Sequence, residues 1–227
     1  MGGLHVNFID EKSNEQKKIT VSTPYGYGVF KRLLDIILSS LGLLILLPVL
    51  IMVSIMIKVE DRRGTVFFVQ TRVGKNGKHF KMYKFRSMVS NAEDLLEDLL
   101  EKNEVSGAMF KMKSDPRITS IGKFIRKTSI DELPQLINVL KGDMSLVGPR
   151  PPLPREVNDY TAYQKQRLEV IPGCTGVWQA GQRNAIGFEE MVELDLFYIE
   201  NRRISYDLYL IIKTVFKMAY PPKNSAH

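Results

Sequence analysis

The sequence predicts a mainly α protein with one small β-hairpin, an α+β fold with a membrane-embedded N-terminal part. Three observations predict it. From Ile36 to Ile57 no residue is charged. Two short strand-like runs flank the turn sequence Gly74-Lys75-Asn76-Gly77. The rest is dominated by stretches of helical spacing separated by Gly and Pro turns.

Residues 1–28 are polar and without a strong period, and they predict a mobile tail. Residues 29–60 predict the membrane segment. Its 22 uncharged residues would form a helix about 33 Å long, enough to cross a bilayer core. It lacks the marks of a secretory signal: the apolar run is too long and no small-residue cleavage site follows. Pro48 lies inside the run, where it removes a helix hydrogen bond and predicts a break. Lys31 and Arg32 precede the run, and Lys58, Arg62 and Arg63 follow it, so neither side carries the basic bias of a crossing helix. A re-entrant helix–break–helix that enters and leaves by the cytoplasmic face reconciles these features. A straight, proline-kinked crossing fits the same residues.

Residues 61–220 predict one compact unit, and 221–227 a tail. Thr65–Gln70 and His79–Tyr83 are strand candidates joined by a tight Asn-Gly turn. Ala92–Lys102 predicts a helix with a leucine face and an acidic face. Further helices are predicted at Pro134–Leu140, ending near Gly142, and at Glu156–Val170. Phe188–Glu200 and Ile204–Tyr220 close the unit. The broad apolar side of the last suits either a core or a headgroup layer.

The charge is uneven. The net +7 is confined to Lys58–Ser90, where nine Lys/Arg face two acids, so the remainder is formally neutral. A localised basic block needs an anionic partner. Its position beside a membrane segment favours anionic lipid over nucleic acid, and a binder of nucleic acid is not expected. A single cysteine excludes an intramolecular disulfide framework. With only His5, His79 and His227, a His-based triad or metal site is not expected either. Chemistry then falls to carboxylates, arginines and a recruited metal.

Three clusters are candidates. Arg126 to Gln135 contains Asp131-Glu132. It fits a capping box begun by Ser129, or a helix capped by Asp131 with Pro134 at N3, which would leave two carboxylates at an anion-attracting helix start. Adjacent carboxylates can divide labour as nucleophile and metal ligand. Lys141 to Pro151 places Arg150 between two prolines, either as a solvated surface arginine or as a fixed fork for phosphate. Pro172 to Gln179, followed by Arg183, is a glycine-rich loop. Trp178 in it suits stacking or core packing.

Taken in order, these segments resemble the bacterial sugar transferase family, the monotopic phosphoglycosyl transferases. The resemblance rests on Lys31-Arg32-Leu33-Leu34-Asp35, on Gln70-x-Arg72-Val73-Gly74 through Tyr83-Lys84-Phe85-Arg86, and on Thr128 to Gln135. Asn138 to Ser145, Val147 to Pro151, Pro172 to Gln179 and Glu193-Leu194-Asp195 continue it. It implies amphipathic interfacial helices around a cytoplasmic catalytic domain on the bacterial inner membrane. It implies transfer of a sugar 1-phosphate from a UDP-sugar to polyprenyl phosphate, with UMP released. It implies Asp131 as a nucleophile that forms a phosphosugar ester, Glu132 as a ligand of Mg²⁺, and Arg126, Arg150, Arg183, Lys84 and Asp207 as substrate-binding residues. The family's membrane helix breaks at a proline, here Pro48. The chain looks like the short, self-contained form, and a homodimer is compatible with it.

Overall fold

The computed structural model describes residues 18–19, 24–92, 94–95, 98–99, 112, 115–181 and 186–220. The predicted helix over 92–102 falls largely outside them, as do the C-terminal tail, most of the N-terminal tail and Arg183. The described residues are mainly helical, with one antiparallel hairpin and one short parallel strand pair.

Helix α1 spans Tyr27–Glu60 without interruption, with Pro48 inside it. The break expected at Pro48 is therefore not present. The turn after the proline packs on the domain: Val49, Leu50, Val53 and Ile57 join Phe85, Ile125 and Ile121 in one apolar cluster. That packing offsets the roughly 3 kcal/mol that an internal proline costs a helix. Tyr27, Lys31, Asp35, Ser39, Val53 and Ile57 are buried along one stripe. The other side is apolar and exposed, including Leu33, Ile37, Leu41, Leu44, Ile51 and Ile55.

Both ends of α1 are fastened to the same body. Arg32 donates to the carbonyls of Val139 and Leu140 at 2.5 and 2.7 Å. At the other end the Glu60 carboxylate accepts from Ser120 N at 2.9 Å.

Strands β1 (Phe67–Val73) and β2 (His79–Phe85) pair in register Phe67↔Phe85 to Val73↔His79. Both strands reach further than the sequence pattern suggested. The connecting turn is as expected: Asn76 and Gly77 both take positive φ, and Lys78 N donates to Lys75 O at 3.2 Å.

Helix α2 (Ser120–Lys127) begins at an N-cap Thr119, which accepts from Gly122 N, and it leads straight into the Asp131 segment. Helix α3 (Gln135–Lys141) follows and ends at Gly142 in the left-handed conformation. Asn138 of α3 is fully buried and acts as a third strand for β2. Its Oδ1 accepts from Tyr83 N at 3.0 Å and its Nδ2 donates to Lys81 O at 2.7 Å. Asn138→Ala leaves two strand groups unpaired and opens a small void. The expected loss is on the order of 3 kcal/mol, seen as a fall in Tm of about 6–12 °C.

Strands β3 (Ser145–Val147) and β4 (Gly173–Thr175) pair in parallel. A Cβ on Gly173 would lie 2.0 Å from Gly148 N, so these two turns can approach only as glycines.

The single helix predicted over Glu156–Val170 is instead α4 (Pro154–Asn158), α5 (Ala162–Lys165) and a 3₁₀ turn, Gln166–Glu169. Thr161 restarts the chain with a capping box closed by Gln164. Helix α6 (Val177–Ala180) is followed by α7 (Phe188–Asn201) and α8 (Ile204–Ala219), the last two close to expectation. Val192, Leu196, Ile199 and Leu210 build the main core with Val147, Tyr163 and Val170.

Candidate active site

The Asp131-Glu132 pair does not begin an α-helix. Ser129 takes φ 56°, a left-handed conformation, and Ile130–Glu132 form a single 3₁₀ turn. The α-helical geometry starts only at Gln135, after Pro134. Neither capping reading of the sequence is thus realised. The turn buries Asp131 while Glu132 stays half-buried.

Both carboxylates line a cavity of about 1040 Å³. Its floor is one face of the hairpin. Strand alternation puts Phe68, Gln70 and Arg72 of β1 on the same side as Met82 and Lys84 of β2, and all five line the cavity. Lys84 Nζ pairs with Glu132 Oε1 at 2.9 Å. Arg126, from the last turn of α2, and Arg150, after β3, form further wall. Arg150 lies over the Trp178 ring, 6.0 Å from its centroid, so the indole both packs and supports a guanidinium.

The cavity is cationic. Among the described residues eight Lys/Arg line it, against Asp131, Glu132 and Glu156. Two of the eight are held by acids outside the lining. Arg86 pairs with Asp61 at 3.1 Å, and Arg117 with Asp115 at 2.6 Å. Six cations then face three carboxylates, an excess of three that favours an anionic ligand. Arg86 reaches its place over Gly64, where a Cβ would sit 1.2 Å from Nη1.

Of the residues expected from the sequence, Asp131, Glu132, Arg126, Arg150 and Lys84 meet here. Arg183 lies outside the described residues. Asp207 is absent from the cavity lining. It is fully buried elsewhere, accepting from Tyr27 Oη at 2.8 Å and Tyr198 Oη at 2.7 Å, with Lys31 Nζ 3.7 Å away. Burial raises its carboxyl above the usual range, and Lys31 and the two hydroxyls restrain the rise. Its place is a lock between the start of α1 and α8, not a contact with a ligand in the cavity.

Sequence reasoning missed Arg63, Arg72 and Arg86 as cavity residues. It set the basic block, Lys84 apart, against lipid. The period-2 alternation of the two strands was the signal that separates inward Arg72 and Lys84 from Lys81, which is exposed and donates to Thr71 on the other face.

Mg²⁺ is commonly held by one or two protein carboxylates together with substrate phosphates. Asp131 and Glu132 supply oxygens of that kind, in a cavity with room and charge for phosphate. Among the described residues no group of three or more His, Cys, Asp or Glu gathers to hold a metal. Asp131 and Glu132 thus fit the one or two carboxylates that such an ion takes from protein.

The chain matches the family described as bacterial sugar transferase over residues 26–220. It is 50% identical over 192 residues to the galactosyl transferase CpsE of Streptococcus agalactiae serotype III, covering 84% of this chain and 42% of that protein. It is 44% identical over 188 residues to the undecaprenyl-phosphate galactose phosphotransferase of Salmonella typhimurium, covering 81% and 39%. With the exopolysaccharide production protein ExoY of Rhizobium meliloti the identity is 37% over 192 residues, covering 83% and 84%. The match thus spans about two fifths of the first two proteins and most of the third.

Proposed function

The chain belongs to the bacterial sugar transferase family, and on that premise we propose that it moves a sugar 1-phosphate from a UDP-sugar to polyprenyl phosphate, releasing UMP. The observation that carries this reading is the carboxylate pair set in a cavity with excess positive charge, beside a helix whose outer face is apolar. A donor diphosphate and an acceptor phosphate are the anions such a cavity suits. The names of two relatives, a galactosyl transferase and an undecaprenyl-phosphate galactose phosphotransferase, support the same substrate classes.

The chemistry proceeds in two displacements. A carboxylate oxygen of Asp131 attacks the phosphorus that bears the sugar, and the bond from that phosphorus to the UMP oxygen breaks. The phosphate oxygen of the lipid then attacks the same phosphorus, and the Asp131 carboxylate leaves. Arg126 and Arg150 offset charge on the phosphoryl oxygens and on departing UMP. Lys84 holds Glu132 in place across the cavity. Glu132 would hold a Mg²⁺ ion, which would supply Lewis-acid neutralisation of the diphosphate. The direct test is UMP release from a panel of UDP-sugars with polyprenyl phosphate and Mg²⁺. Release above background with at least one donor is expected, and none with any donor defeats the proposal.

The docking of α1 supports a topology in which both of its ends lie on one side of the membrane. Its 34 residues reach about 51 Å, longer than a bilayer core. Its two ends are nevertheless fastened to one polar domain, through Arg32 and Glu60. A crossing would drag that domain into lipid. The helix instead lies with its exposed apolar face in one leaflet, both ends cytoplasmic. The exposed Ile212, Val215 and Phe216 of α8 add to the lipid-facing surface. Cysteines introduced at Phe30 and Arg62 are expected to react alike from the cytoplasmic side of sealed vesicles. Labelling from opposite sides would overturn the topology.

A further inference from the structure

We propose that Arg72 is a substrate-binding residue: with Arg150 it forms a two-guanidinium clamp on the diphosphate of the donor, held in aim by Gln70. The inference rests on the functional reading above and names a part of the site that reading does not use.

The geometry carries it. Arg72 lies at the end of β1, on the face that forms the cavity floor, and is only 5% exposed. Gln70, two residues back on the same face, accepts from Arg72 Nε at 3.0 Å and from Nη2 at 2.6 Å. Pro151 O accepts from Nη1 at 3.0 Å. These bonds use three of the five N–H groups of a guanidinium. They fix its plane and leave two donors.

The same contacts bring Arg150 close. Pro151 follows Arg150 directly, and Val73 N donates to Pro152 O at 2.9 Å, so the strand end and the Arg150 turn are zipped together. Two guanidinium groups thus share one wall of a cavity that already carries excess positive charge. Burial, and then the charge of Arg150, press the Arg72 guanidinium down to about 10, with Glu156 and Glu132 restraining the fall. It stays cationic at neutral pH, with repulsion that an anion between the two groups would turn into attraction. A purely structural role needs no such neighbour. A glutamine amide could donate to Pro151 O without placing like charges together in a buried wall. The dianionic diphosphate of a nucleotide sugar is a ligand of the right charge, and planar forks suit its oxygens.

The test uses the full chain in detergent, with UDP, UMP and inorganic pyrophosphate as probes. Arg72→Lys keeps the charge and loses the fork. It is expected to weaken UDP and pyrophosphate binding about ten- to a hundredfold, and UMP binding distinctly less. Gln70→Ala keeps the guanidinium and loses its aim. It is expected to raise KM for the UDP-sugar several-fold with kcat little changed. Unchanged UDP affinity in a folded Arg72→Lys protein overturns the proposal, as do equal losses for UDP and UMP. Should Arg72→Lys not fold, Gln70→Ala decides, and an unchanged KM together with unchanged UDP affinity overturns it. Failure of the wild-type protein to release UMP would sink the transferase reading instead. Pyrophosphate binding to the wild-type and Gln70→Ala proteins would then still decide the clamp.

Discussion

Asp131→Asn is expected to lower UMP release by at least about a thousandfold while leaving the protein folded. The amide has nearly the volume of the acid and can occupy the same 3₁₀ turn, in which Glu132 N donates to Ser129 O and Leu133 N to Ile130 O. The backbone path into the site is therefore preserved. What is lost is the oxygen proposed as the nucleophile. The cavity's arginines offset the negative charge on the phosphoryl oxygens that an attacking carboxylate has to approach. A second measurement separates loss of the nucleophile from general damage. Wild-type protein given a UDP-sugar labelled in the sugar, without acceptor, is expected to retain about one label per active chain. Asp131→Asn is expected to retain none at equal Tm. Near-wild-type turnover by Asp131→Asn would remove the nucleophile assignment and with it the two-displacement scheme.

Asp195→Ala is expected to be among the most destabilising single changes, at about 3–5 kcal/mol. Arg167 is 3% exposed and spends two bonds on one oxygen of Asp195, at 2.9 and 2.6 Å, and one on Tyr160 Oη at 2.9 Å. Burial by itself lowers the guanidinium's pKa, and Asp195, Tyr160 and Glu156 together more than offset that. Removing the acid strands a cation among α7, the 3₁₀ turn at 166–169 and Tyr160. A chain of this size should show a fall in Tm of roughly 6–20 °C. The pair itself is not worth that much, because both ions were desolvated to make it. The double variant Arg167→Met/Asp195→Leu is accordingly expected to be more stable than Asp195→Ala alone. If the double variant is the less stable, the stranded-charge explanation is wrong and the pair contributes net stability.

Residue patterns within a few positions of one another were legible in the sequence. The uncharged run over 36–57 forms the apolar helix, Asn76-Gly77 forms the hairpin turn, and the apolar spacing over 188–200 and 204–220 forms α7 and α8. Each of these is decided by contacts between neighbours in the chain or by one solvent-averse face. The adjacency of Asp131 and Glu132 is likewise a fact of sequence.

Tertiary structure decided the rest. Lys84 finds Glu132 across 48 residues, Asn138 finds Tyr83 across 55, and Arg72 finds Pro151 across 79. No local period encodes such distances. Asp207 shows the same limit from the other side. The family resemblance pointed it to the site, but burial against Lys31, Tyr27 and Tyr198 fixed it in a lock outside the cavity. Pro48 reads as a helix breaker until the packing of Val53 and Ile57 is counted, and that packing outweighs the lost hydrogen bond. The basic block was visible from the sequence as a sum of charge. Only the pleat of the hairpin, with alternate residues facing opposite ways, separated the cations that line the cavity from those that face outward.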